Sequence, residues 1–126
     1  MSMKGINTSP SMGAFLLELM HARTNAHVMH LTTKSYAKHM ALGSFYEDLV
    51  AHVDAIAEAH QGRYGVLQYP ALPFKAESDP VMMLRSLRRY VDDTRAGLCD
   101  HSEIQNLIDE VVALMDSTLY KLENLT

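Results

Sequence analysis

Four side chains that bind iron or zinc stand at intervals that a pair of helices can use. They are His27, His39 twelve residues later, Asp54 fifteen further and Glu58 four further. Imidazole nitrogen and carboxylate oxygen together suit iron(II), provided that positions stay open for water and dioxygen. Asp54 and Glu58 are an i,i+4 pair, so on one helix they share a face. A tight helical turn near Thr33 sets His27 and His39 level on its two arms, six residues either side. Asp54 then lies roughly 22 Å along the second arm from His39, at about 1.5 Å per residue. One copy of the chain therefore does not close a site from all four. Two copies packed antiparallel about a twofold axis do, each lending histidines to one site and carboxylates to the other. The spacing thus predicts a homo-oligomer, a dimer at least, with a cage as the larger assembly such dimers can build. His30, one turn after His27, and Glu47, two turns after His39, are secondary candidates for a site inside one bundle. Glu18 and His21 form a Glu-x-x-His pair, but larger di-iron bundles use two such pairs and no second one occurs here.

These residues need helices to hold them. Ser9-Pro10 is a helix-start signal, with Ser able to cap and Pro tolerated in the first turn. A first helix is expected over about 10–32, with an apolar stripe of Phe15, Leu16, Leu19 and Met20 that His27 and His30 continue. Thr32, Thr33 and Ser35 make the break. A second helix is expected over about 36–61, burying His39, Gly43, Tyr46, Val50, Val53 and Ala57, with Asp54 and Glu58 beside that stripe and Gly62 ending it. Residues 62–80 carry two Gly and three Pro and suit a long crossover. Ser78 or Asp79 with Pro80 starts a third helix, about 80–96, which Gly97 ends. Asp100 with Glu103, or Ser102 with Gln105, reads as a capping box for a fourth, about 102–123. Its apolar positions include Ile104, Ile108, Val111, Met115 and Leu122. The fold class this predicts is all-α: two helical hairpins joined by a long crossover, which is the connectivity of a ferritin-like four-helix bundle.

Composition narrows the function classes. A length of 126 residues fits one domain with one core. Net charge is −4 with histidines neutral, which gives no global attraction for nucleic acid. Arg85, Arg88 and Arg89 cluster, yet Asp92 and Asp93 follow at i+4 and offer local ion pairs. The single Cys99 forms no internal disulfide and, with no signal-like start, points to the cytoplasm, the host's if the chain is viral. No window is apolar enough for a membrane span. There is no glycine-rich phosphate loop and no Cys pair for zinc.

The stretch from His27 to Gly62, HVMHLTTKSYAKHMALGSFYEDLVAHVDAIAEAHQG, resembles the first helical hairpin of the Dps (miniferritin) family. That resemblance implies an intersubunit ferroxidase site with His27, His39, Asp54 and Glu58 as iron ligands, di-iron or mono-iron, and a role in iron sequestration and oxidative protection. Gly43 stands where the family carries a further carboxylate, Val28 where a tryptophan is common, and a long basic N-terminal tail is absent. The segment LTTKSYAKHMALGSFY, with DEVVALMDSTLYKL, is also similar to small phage-encoded helical proteins of unknown function. That second resemblance implies the alternative: a metal-free ferritin-like scaffold acting as a small binding or structural protein.

Overall fold

The computed structural model describes residues 11–126. Four helices follow in order: α1 (Met12–Thr32), α2 (Tyr36–Tyr64), α3 (Pro80–Thr94), continued by a short 3₁₀ turn at Arg95–Gly97, and α4 (Ser102–Asn124). Among the described residues there is no strand. Ser9-Pro10, the expected start of α1, lies outside the described residues; Ser11 caps the helix, its hydroxyl accepting from the Ala14 N–H at 3.1 Å.

Two helix ends differ from expectation for local reasons. The second helix runs past Gly62 to Tyr64 and stops at Gly65, whose φ of 92° suits a residue without a Cβ. The fourth helix has His101 at its cap without a side-chain bond, so the expected capping box does not form. Gln105 instead turns back, its amide donating to the carbonyls of Arg95 and Cys99 at 2.8 Å each. The third helix starts as the sequence suggests: Asp79 Oδ1 accepts from the N–H groups of Val81 and Met82, and Pro80 takes the first turn.

The link over residues 65–79 explains the topology. Gln61 holds its beginning, accepting from the Leu67 N–H at 3.2 Å and the Tyr69 hydroxyl at 3.1 Å. The link then passes so near the start of α1 that a Cβ on Gly13 would lie 2.1 Å from the Gln68 carbonyl oxygen. Further along, buried Asn25 clasps it, donating to the Lys75 carbonyl at 3.0 Å and accepting from the Glu77 N–H at 2.9 Å. The link therefore climbs alongside α1 from Gly13 to Asn25 before α3 begins. The helix α1 packs on α2 and α3, and α4 packs on the same two, so the crossover joins helices that stand diagonally.

The core runs through all four helices, with Phe15, Leu16, Leu19, Leu42, Phe45, Leu49, Ile56, Leu84, Val91, Ile104, Ile108 and Met115 sealed from solvent. Gly43 and Val53 are buried as expected, but the main buried stripe of α2, Leu42, Phe45, Leu49, Val53 and Ile56, is rotated from the expected one. Val50 is 41% exposed, and His39 and Tyr46 are half-buried on the edge facing α1. The rotation arises because α2 packs between α1 and α4, so its buried face points between both neighbours and not at α1 alone.

Candidate functional site

The α1–α2 connection fixes which histidines meet. Its three residues, Thr33 to Ser35, are held by the Thr33 N–H on the Met29 carbonyl at 2.9 Å and by Ser35, whose hydroxyl caps α2 through the Lys38 N–H at 3.2 Å. The centre of the turn is thus Lys34 and not Thr33. That small shift brings His30, rather than His27, opposite His39. The two rings stack with centroids 3.8 Å apart and planes 16° apart.

Each ring also bonds the other residue's backbone. His30 Nδ1 lies 2.6 Å from the His39 carbonyl oxygen, and His39 Nδ1 lies 2.8 Å from the His30 carbonyl oxygen. A carbonyl only accepts, so both Nδ1 atoms carry protons, which leaves each neutral ring its lone pair on Nε2. The His30 carbonyl is in the last turn of α1, where no helical N–H reaches it. His39 is therefore the side-chain cap of α1 as well as a residue of α2. For the His30 ring to lie on the α2 backbone, position 43 must be small. A Cβ there would stand 3.0 Å from His30 Cε1 and Nδ1. Gly43 makes room for the imidazole of His30.

His27 lies one level further from the turn, flat against Tyr46 at 4.2 Å between centroids and 13° between planes. Tyr46 presents its edge to His30 at 5.4 Å, and the Arg23 guanidinium carbon stands 5.6 Å from its ring centroid. The result is a half-buried ladder of aromatic and cationic groups along the α1–α2 seam.

The carboxylates are elsewhere. Asp54 is exposed and lines a groove of about 340 Å³ between α1 and α2, with Met20, Arg23, Thr24, Val50 and Val53. Glu58 and Glu47 are exposed on α2. The expectation that Asp54 and Glu58 flank the buried stripe is corrected: they lie on the solvent side, because the stripe is rotated away from them. Among the described residues, no three His, Cys, Asp or Glu side chains gather closely enough to hold a metal ion within one chain. His30 and Glu47 do not complete a site inside the bundle, since His30 is turned onto His39 and Gly43 while Glu47 faces solvent. Within one copy the candidate ligands are thus spread along the hairpin: the histidines near the connection, and the carboxylates on the solvent face of α2.

The opposite end of α2 holds a second imidazole group. The His60 ring lies 4.7 Å from that of Tyr64, whose hydroxyl bonds His101 Nε2. His60 Nδ1 is buried without a hydrogen-bond partner among the described residues. Burial, and then the nearby His101, hold the His60 imidazole below its ordinary value of 6.5. Cys99 is half-buried next to this group, its sulfur accepting from the His101 N–H at 3.3 Å. On α3, Arg88 is paired with Asp92 and Asp116, and Arg85 with Glu123. Two of the three clustered arginines are therefore spent on carboxylates, not left for phosphate.

The sequence carries one signal of a close approach here, though not of which group makes it. A glycine inside a helix costs about 1 kcal/mol relative to alanine. Its occurrence four residues after a histidine marks a close approach by another group.

Comparison with known proteins places the chain. A family model described as a family of unknown function (DUF5856) matches residues 30–122, and the chain belongs to that family. The chain is similar to an uncharacterized 14.6 kDa protein in the mobD-ri intergenic region of Enterobacteria phage T4. The two are 28% identical over 105 residues, 82% of this chain and 81% of the relative. No solved structure matches. No helix among the described residues is long and apolar enough to cross a membrane.

Proposed function

We propose that this member of the DUF5856 family is a small, phage-type helical protein that works by binding or scaffolding, on a ferritin-like bundle without an iron centre of its own. The observation that carries the reading is the reciprocal bonding of His30 and His39 above Gly43. Of the two imidazoles that the resemblance would offer to iron, His39 closes the hairpin through its Nδ1 on the His30 carbonyl, and His27 lies flat against Tyr46. The diagonal crossover, with α1 beside α2 and α3, supports the ferritin-like connectivity. Exposed apolar side chains in the turns flanking the connection, Val28, Leu31, Tyr36 and Met40, support a contact role for that end.

A second reading keeps the iron chemistry between two copies. It is favoured by the free Nε2 of His39 and by Asp54 and Glu58, which are exposed and make no ion pair among the described residues. One experiment separates the two. Iron(II) is added without oxygen, oxygen or peroxide is admitted, and ferric absorbance is followed together with molar mass by light scattering. The scaffold reading expects no iron uptake, and no change in any of these properties for the exposed-site variant Glu58→Ala. Stoichiometric iron that Glu58→Ala abolishes would overturn it in favour of a shared centre.

A further inference from the structure

A cavity of about 300 Å³ opens where α1, the link and α3 meet, away from the histidine clasp. Its floor is apolar and buried, formed by Ala22, Met83 and Leu87. One wall is the link itself, fixed by the two hydrogen bonds of Asn25. Inside stand Glu18, His21 and Tyr90, all half-buried; Lys75, Glu77 and Ser86 form an exposed rim.

We infer that this cavity binds a small primary ammonium compound with a short alkyl chain, with Glu18 as its counter-ion. Glu18, Lys75 and Glu77 make no ion pair among the described residues. An ammonium entering the cavity can therefore make a charge-assisted hydrogen bond to the half-buried Glu18 carboxylate. The cavity's two carboxylates outnumber its one lysine. The innermost charge is negative, so an anion entering past the rim meets Glu18. Burial, and then the Glu18 charge, push the Tyr90 phenol up, so its hydroxyl stays protonated. The volume lies at the small end of ligand sites, and the floor offers aliphatic contact for only a few carbon atoms. This binding role does not depend on the hairpin or on either reading of its histidines.

The test uses the full chain and three probes of one shape: n-butylammonium, n-butanol and butyrate. Amide chemical shifts are followed during titration. Butylammonium should give saturable shifts confined to the segments around Glu18–Asn25, the link and the first half of α3. Butanol and butyrate should bind at least about tenfold more weakly, the loss expected for one charge-assisted contact. Glu18→Gln, whose fold is checked by circular dichroism, should reduce butylammonium to the level of butanol. Absence of saturable shifts, equal binding of the three probes, or unchanged binding in Glu18→Gln would each overturn the inference. The probe comparison on the unmodified chain decides the matter even if the variant fails to fold.

Discussion

Gly43 is the residue on which the two descriptions of this hairpin part. As a missing metal ligand it would be free to change. As the floor beneath the His30 ring it would not be. Alanine at 43 gains about 1 kcal/mol in helix propensity. It also places a Cβ 3.0 Å from a ring pinned by a stack and by a 2.6 Å hydrogen bond. Overpacking of that kind costs about 1–3 kcal/mol, so Gly43→Ala should be net destabilising by about 1 kcal/mol. With His30→Ala already in place the clash disappears, and the same change should stabilise by about 1 kcal/mol. Urea unfolding of the four proteins in the cycle measures the coupling, and additive effects would mean that the ring does not rest on position 43. The sequence displayed every residue of this arrangement, yet its pairing was not legible. It turned on a one-residue difference in the centre of a loop, and helical geometry amplifies one residue into about 100° of rotation.

Helices were the most legible elements, because α3 and α4 each carry a single apolar stripe, and α3 also has its cap at Asp79 with Pro80 in the first turn. The faces of α1 and α2 were harder to read, since both also carry apolar residues outward, among them Met20, Val28, Leu31, Met40 and Val50. Periodicity cannot choose between two apolar faces; the neighbours of the helix choose. The link was legible as a crossover from its Gly and Pro content, but nothing in its composition revealed what fastens it. That role falls to Asn25, a buried polar side chain in the middle of α1 that satisfies one carbonyl and one N–H of the link. Asn25→Ala removes both bonds and should cost about 1–3 kcal/mol. The loss should be local before it is global, because the core helices do not depend on Asn25 for packing. Hydrogen exchange at the Glu77 amide should quicken, and limited proteolysis should cut first between residues 66 and 78. Unchanged protection at Glu77 would show that the link is held by packing, such as the His21–Phe74 contact at 5.4 Å, and not by the amide.

At the scale of the whole molecule, the two ends of α2 are fastened by histidines in different ways, and this sets how stability should respond to acid. At the far end, His60 is held below 6.5 by burial and by His101. As pH falls through about 6.5 the unfolded chain takes up this proton first, while the folded chain resists until a lower pH. In that interval the unfolded state holds more protons, so stability rises with pH. The contribution of His60 is therefore complete above the ordinary histidine value and is lost as pH falls from there towards the folded-state value, below which it levels off. The chain has seven histidines, so the total curve does not isolate His60. A difference does. Between about pH 8 and about pH 5, the urea midpoint of the unmodified chain should fall further than that of His60→Gln, whose side chain carries no proton to lose. Parallel curves for the two proteins would mean that the buried Nδ1 of His60 finds a partner in solution, and that the end of the bundle carries no acid-sensitive joint.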